Sequence, residues 1–174
     1  MDNNTIRQRP PGEIIELLNS KDEKKRELGY EYFLGRTHWL NGSTPSDLKK
    51  LMCMLLFLDP EKVRANHIVN LTPERLWASQ SGLEGEKIDM VRAAHNYITV
   101  KGGALPPIVV MDFFSNALMR YMVLDGHHRC YYSHQLEIPV TAVVLEPFGN
   151  YHEAEIKLAY AFQLKTRVIS LPVY

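Results

Sequence analysis

Apolar residues recur at helical spacing in the first third of this chain and at strand spacing in much of the remainder. In residues 13–20, Ile14, Ile15, Leu17 and Leu18 fall at helical intervals, and Asn19-Ser20 closes the segment. Residues 21–34 begin with charges and bring Tyr30, Phe33 and Leu34 late, which predicts a second helix. Thr44-Pro45-Ser46-Asp47 supplies a hydroxyl cap, a proline at the first helical position and an acid in the first turn. A third helix starts there, runs through LKKLMCMLLFL with apolar residues nearly all round, and stops at Asp59-Pro60. Residues 1–12 are polar and proline-marked, a loose tail. Residues 1–65 are therefore expected to form an N-terminal helical subdomain that buries itself against the rest.

From residue 66 the pattern is mixed. A short strand is expected at 68–71, a turn or helix start at 72–75, and a helix at 86–97 with Ile88, Val91, Ala94 and Tyr97 on one stripe. Gly102-Gly103 lies just past that helix. Residues 106–111 and 118–124 read as strands close enough to pair as a hairpin across the loop at 112–117. A helix at 127–136, a strand at 139–145 and a helix at 153–164 come next; the tail 167–174 is apolar enough to dock as an edge strand. Helices and strands interleaved in this way predict an α+β fold.

Bulk composition narrows the function only by exclusion. A hydrophobic content of 45% with 23% charged residues is that of an ordinary globular protein. Twenty basic residues against twenty acidic ones leave no overall field to draw the chain to nucleic acid or a lipid surface. The apolar run at 51–58 is far too short to span a bilayer. The first residues, MDNNTIRQRPPGE, carry no apolar leader, so a cytoplasmic location and no membrane partner are expected. Cys53 and Cys130 fall in different predicted helices and read as two reduced, packed thiols.

Chemistry concentrates in YMVLDGHHR, residues 121–129. An apolar strand is stopped by Asp125-Gly126, and His127, His128 and Arg129 open a helix. The first N–H groups of a helix have no intrahelical partner and carry partial positive charge. Gly126 allows a ligand close to the backbone, and Arg129 can grip a phosphate or carboxylate with a planar fork. The bland alternative is a solvated turn. Helix geometry separates His127 from His128 by about 100°, so one can face a ligand while the other orients a neighbour. Arg129 would reach in from the flank. A transition-metal site on the stripe His127, Cys130 and His134 is disfavoured, because those residues span about 10 Å along the axis. Bonds to one ion are only about 2 Å long. Outside the motif, GRTHWLNG offers His38 and Trp39 either as a substrate lid or as an anchored connector.

Residues 105–146, LPPIVVMDFFSNALMRYMVLDGHHRCYYSHQLEIPVTAVVLE, resemble the core of the ParB/sulfiredoxin superfamily, with a looser likeness over 66–101. The resemblance implies that Gly126, His127, His128 and Arg129 bind nucleotide phosphates and that Gln80, Glu84 and Glu86 come against them. Glu84 and Glu86 could equally be solvated acids of a first helical turn. Branches of the superfamily hydrolyse CTP on DNA, repair sulfinic acids with ATP, or phosphorylate free serine with ADP. The repair branch has cysteine where this chain has His127. The DNA-linked branch carries a helix-turn-helix module that does not come after Glu146 here. Residues 66–146 also hold six Lys/Arg against eight Asp/Glu, so strong nucleic-acid binding is not expected. Two readings stay open. One is a nucleotide-dependent phosphotransferase or hydrolase resembling the free-serine kinases. It would take ATP, ADP or another nucleotide and a small hydroxyl-bearing acceptor. His127 or Asp125 would position the reacting groups, with Glu84 or Glu86 as base, and magnesium held mainly by the nucleotide. The other is a ParB-like module that binds nucleotide or nucleic acid and switches a partner without catalysis. Oligomeric state is open in both.

Overall fold

A computed structural model describes residues 9–37, 43–112, 121–148 and 166–174. Within them the order is α1 (Pro11–Leu18), α2 (Glu23–Arg36), α3 (Pro45–Leu55), β1 (Val63–Leu71), α4 (Gly85–Val100), β2 (Ile108–Asp112), β3 (Tyr121–Asp125), α5 (His127–Gln135) and β4 (Val140–Pro147). The expected α+β class holds. The sheet has the order β1-β4-β2-β3; β1 and β3 run antiparallel to their neighbours, and β2 and β4 run parallel. The expected hairpin is present as β2 and β3, with Met111 opposite Met122 and Asp112 opposite Tyr121.

Alternation along the strands sends side chains to two cores on opposite faces of the sheet. Ile108, Val110, Val123, Ala142 and Val144 face one side and pack with residues of α1, α2, α4 and α5, among them Ile14, Phe33, Val91 and Tyr132. Val109, Met111, Met122, Val143 and Leu145 face the other and pack with Leu48, Met52 and Cys53 of α3. The first three helices thus sit on both faces of the sheet instead of forming a subdomain of their own. The expected boundary at residues 65 and 66 falls inside β1, which is nine residues long where a short strand was expected.

The Thr44 cap forms as expected. Its side chain accepts from the Asp47 N–H while the Asp47 carboxylate accepts from the Thr44 N–H at 2.9 Å. Helix α3 ends earlier than Asp59-Pro60, however, because Phe57 turns the chain at a φ of 55°. Only one of its faces is buried; Met54, Leu55 and Phe57 are exposed. Charge in the second turn, Lys49 and Lys50, did not reveal that asymmetry. The tail does not form one continuous edge strand. It docks through isolated bridges, Arg167 to Trp77 and Val173 to Leu83, on either side of a 3-10 turn at Val168–Ser170. Cys53 and Cys130 are both free thiols and buried. The expected helix at 153–164 and the His38–Trp39 segment lie outside the described residues. Among the described residues, no helix is long and apolar enough to cross a membrane.

Candidate functional site

Strand β3 delivers the chain to Gly126, which caps α5 in the left-handed region at φ 94° with no side-chain cap. Only glycine suits the position, for two reasons. Its φ is strained for other residues. A Cβ there would also lie 2.5 Å from Cγ2 of Ile108 and 2.9 Å from Nη2 of Arg129. Gly126→Ala should therefore cost about 1–2 kcal/mol from the backbone alone, with more from the overlap. Urea unfolding measures it, and an unchanged midpoint would refute the tight turn.

The start of α5 opens into a cavity of about 270 Å³. Asp125, Gly126, His127, His128 and Arg129 line one side of it. Gln80 lines it from the 79–84 loop, Lys87 from the first turn of α4, and Arg36 and Thr37 from the end of α2. Lys87 and Arg36 were not singled out from the sequence. Lys87 could have been, as a lysine in the first turn of a helix after a Gly-Glu start. Arg36 could not, since only the docking of α2 brings it here.

The motif's side chains are occupied differently from what sequence alone implies. Arg129 is buried, and so is His127. One arm of its fork, Nη1, donates to the carbonyls of Pro106 and Pro107 at 2.9 and 2.8 Å. The other, Nη2, donates to the Asp125 carboxylate at 2.6 Å. The physical demand comes from the two prolines: they have no N–H and cannot join a ladder, yet their carbonyls must be satisfied at the buried start of β2. Arg129 fastens α5 to that start and supplies charge to the cavity from behind.

Both histidines act as acceptors. Nε2 of His127 takes the backbone N–H of Ser79 at 3.0 Å, with the Ser79 hydroxyl at 3.2 Å. Nε2 of His128 takes the backbone N–H of Glu84 at 3.1 Å. An imidazole that accepts at Nε2 is neutral and carries its proton on Nδ1. Electrostatics agrees with the geometry. Burial lowers the His127 pKa to about 3, and burial together with repulsion from Lys87 lowers that of His128 to about 4. The two rings pin the 79–84 loop to α5, so the expected nearness of this segment to the motif is present, but through backbone.

Of the candidate acids, Asp125 of the motif lines the cavity, whereas Glu84 and Glu86, expected against the motif, do not. The exposed Glu84 carboxylate pairs with Lys87 at 2.5 Å, and this hydrogen bond holds its pKa below the usual range. Glu86 is exposed on α4, with Oε1 near Gly12. Gln80 lines the cavity while its amide donates to the Gly82 carbonyl at 2.7 Å. On the helix stripe, His134 pairs with Glu74 at 2.6 Å, and burial pushes the Cys130 thiol up to about 12, which makes it inert. With three cations, Arg36, Lys87 and Arg129, against the carboxylate of Asp125, the lining suits an anion. No family model matches this chain, and neither the curated proteins nor the solved structures compared with it include a match.

Proposed function

We propose that this protein binds the phosphate groups of a nucleotide at the start of α5 and resembles the ParB/sulfiredoxin superfamily in doing so. The observation that carries this reading is a helix N-terminus without a side-chain cap, opening into a cavity whose lining includes Lys87 and Arg36. Free N–H groups and cations together are what a phosphate requires. Residues 105–146, which carry the resemblance, fold in the order β2, β3, α5, β4, with Gly126, His127, His128 and Arg129 at the junction of β3 and α5. The cavity falls just below the usual range for ligand sites. It suits a phosphate tail better than a whole nucleotide, with the base outside. Magnesium would arrive with the nucleotide, since among the described residues the lining offers one carboxylate, Asp125, already bound to Arg129.

Phosphotransfer to a small hydroxyl-bearing acceptor extends this reading, and Asp125 is its candidate for positioning or accepting the hydroxyl proton. A specific observation favours the second reading, a binding module without turnover. Both imidazoles already accept backbone N–H groups at Nε2, so neither is poised as a base at that atom. One experiment addresses both. The chain is titrated with ATP, ADP, CTP and pyrophosphate, with and without magnesium, and monitored by thermal unfolding. A ligand at about 100 times its dissociation constant stabilises by about 2.7 kcal/mol, a rise of roughly 5–10 °C for a chain of this size. Product analysis with serine and other small alcohols then separates transfer from binding. A flat response to every phosphate compound would overturn the proposal.

A further inference from the structure

The end of α2 is a wall of the cavity, although α2 lies far in sequence from the turn at residues 125–129. Its position is fixed by packing. Gly29 lets α2 lie against α1 so closely that a Cβ there would stand 2.8 Å from Cβ of Leu17. Phe33 is fully buried in the core shared with α4 and the sheet, and Tyr30 contacts both Phe33 and Tyr97, with ring centroids 5.8 and 5.4 Å apart. Three residues after Phe33, one helical turn on, Arg36 borders the cavity together with Thr37.

Arg36 differs from the other two cations there. Arg129 is bonded to Asp125 and Lys87 to Glu84, whereas Arg36 makes no ion pair among the described residues. Its guanidinium donates from Nη1 to the carbonyl of Arg9, which satisfies one N–H, and its charge helps to lower the Glu84 pKa without forming an ion pair with that carboxylate. Thr37 cannot substitute for it, since its hydroxyl donates to the Leu34 carbonyl at 2.8 Å.

We propose that Arg36 is a ligand-contacting residue: its guanidinium binds a phosphate oxygen of the ligand held at the start of α5, so that the N-terminal helices complete the site. This rests on the phosphate reading above. A half-buried arginine with donors to offer and no carboxylate partner suits a divalent phosphate better than a neutral ligand. The Lys87–Glu84 pair can remain intact.

The test is calorimetric titration of the full chain with pyrophosphate and with ATP, for the unaltered protein, Arg36→Lys and Arg36→Ala. Arg36→Ala should weaken both ligands about tenfold or more, and Arg36→Lys less, because lysine keeps the charge and loses the fork. Unfolding temperatures without ligand should agree among the three; if Arg36→Ala melts early, Arg36→Lys carries the comparison. Binding by the unaltered protein with equal affinity in both variants would overturn the role of Arg36 and leave the phosphate reading standing. No binding of either probe to the unaltered protein would overturn both.

Discussion

Arg129→Met should lower the stability of the folded chain by about 3–5 kcal/mol, the usual result of removing one partner from a buried charged network. Methionine keeps the length and loses every donor. The carbonyls of Pro106 and Pro107 and the Asp125 carboxylate then lose bonds of 2.9, 2.8 and 2.6 Å at once. For a chain of this length, about 1 kcal/mol corresponds to roughly 2–4 °C, so the unfolding temperature should fall by about 10 °C. Arg129→Lys should fall by less, since one ammonium can serve some of the acceptors but cannot present a planar fork to all three. Urea unfolding monitored by tryptophan fluorescence gives both values. A loss under about 1 kcal/mol in Arg129→Met would show that the fork is not holding α5 to the start of β2. This prediction also changes how ligand data on Arg129 variants are read: weaker phosphate binding would reflect a loosened site as much as a missing contact.

Acidification supplies the second large effect. His127 is held neutral in the fold, its pKa near 3 against 6.5 for the unperturbed group. Above pH 6.5 both folded and unfolded chains carry it neutral, and its contribution does not vary. Below pH 6.5 the unfolded chain takes up a proton that the folded chain refuses, so stability falls as pH falls, down to about pH 3. The slope is about 1.4 kcal/mol per pH unit, which gives about 2 kcal/mol lost at pH 5. His128, lowered to about 4, acts in the same direction. The window between pH 5 and 6.5 is informative because it lies above the ordinary carboxylate range. His127→Gln keeps an acceptor for the Ser79 N–H and removes the titration, so its stability should vary less over that window. Equal slopes in the variant and the unaltered protein would mean that the ring is not buried and neutral as described.

How much of the fold and the site is legible in the sequence depends on how local the cause is. The Thr44 cap, the Gly126 turn, the start of α5 and the β2–β3 hairpin are set by residues within a few positions of one another, and the sequence pattern locates each. The rule that glycine must come after Asp125 is of this kind, although the clash with Ile108 is not. Boundaries that depend on distant partners were less readable. β1 extends back to Val63 because β4 is there to pair with it, Val63 opposite Pro147 and Leu71 opposite Val140. No local pattern announces that.

The chemistry of the motif divides along the same line. Residue types and spacing were enough to locate the tight turn at 125–129 and the helix start that sets its histidines on different bearings. They could not say which groups would be left to meet a ligand. That was decided by contacts across 22 to 48 positions: Arg129 to Pro107 and Pro106, His128 to Glu84, His127 to Ser79. A buried donor or acceptor takes the partner that the fold brings within 3 Å, and local sequence does not encode that partner. The same packing turned α2 toward α5 and made Arg36, which nothing in its own neighbourhood distinguishes, a wall of the site. Sequence alone determined where the glycine turn and its cationic side chains lie; the tertiary structure decided which cations line the cavity, because burial and long-range hydrogen bonds had already claimed the motif's own.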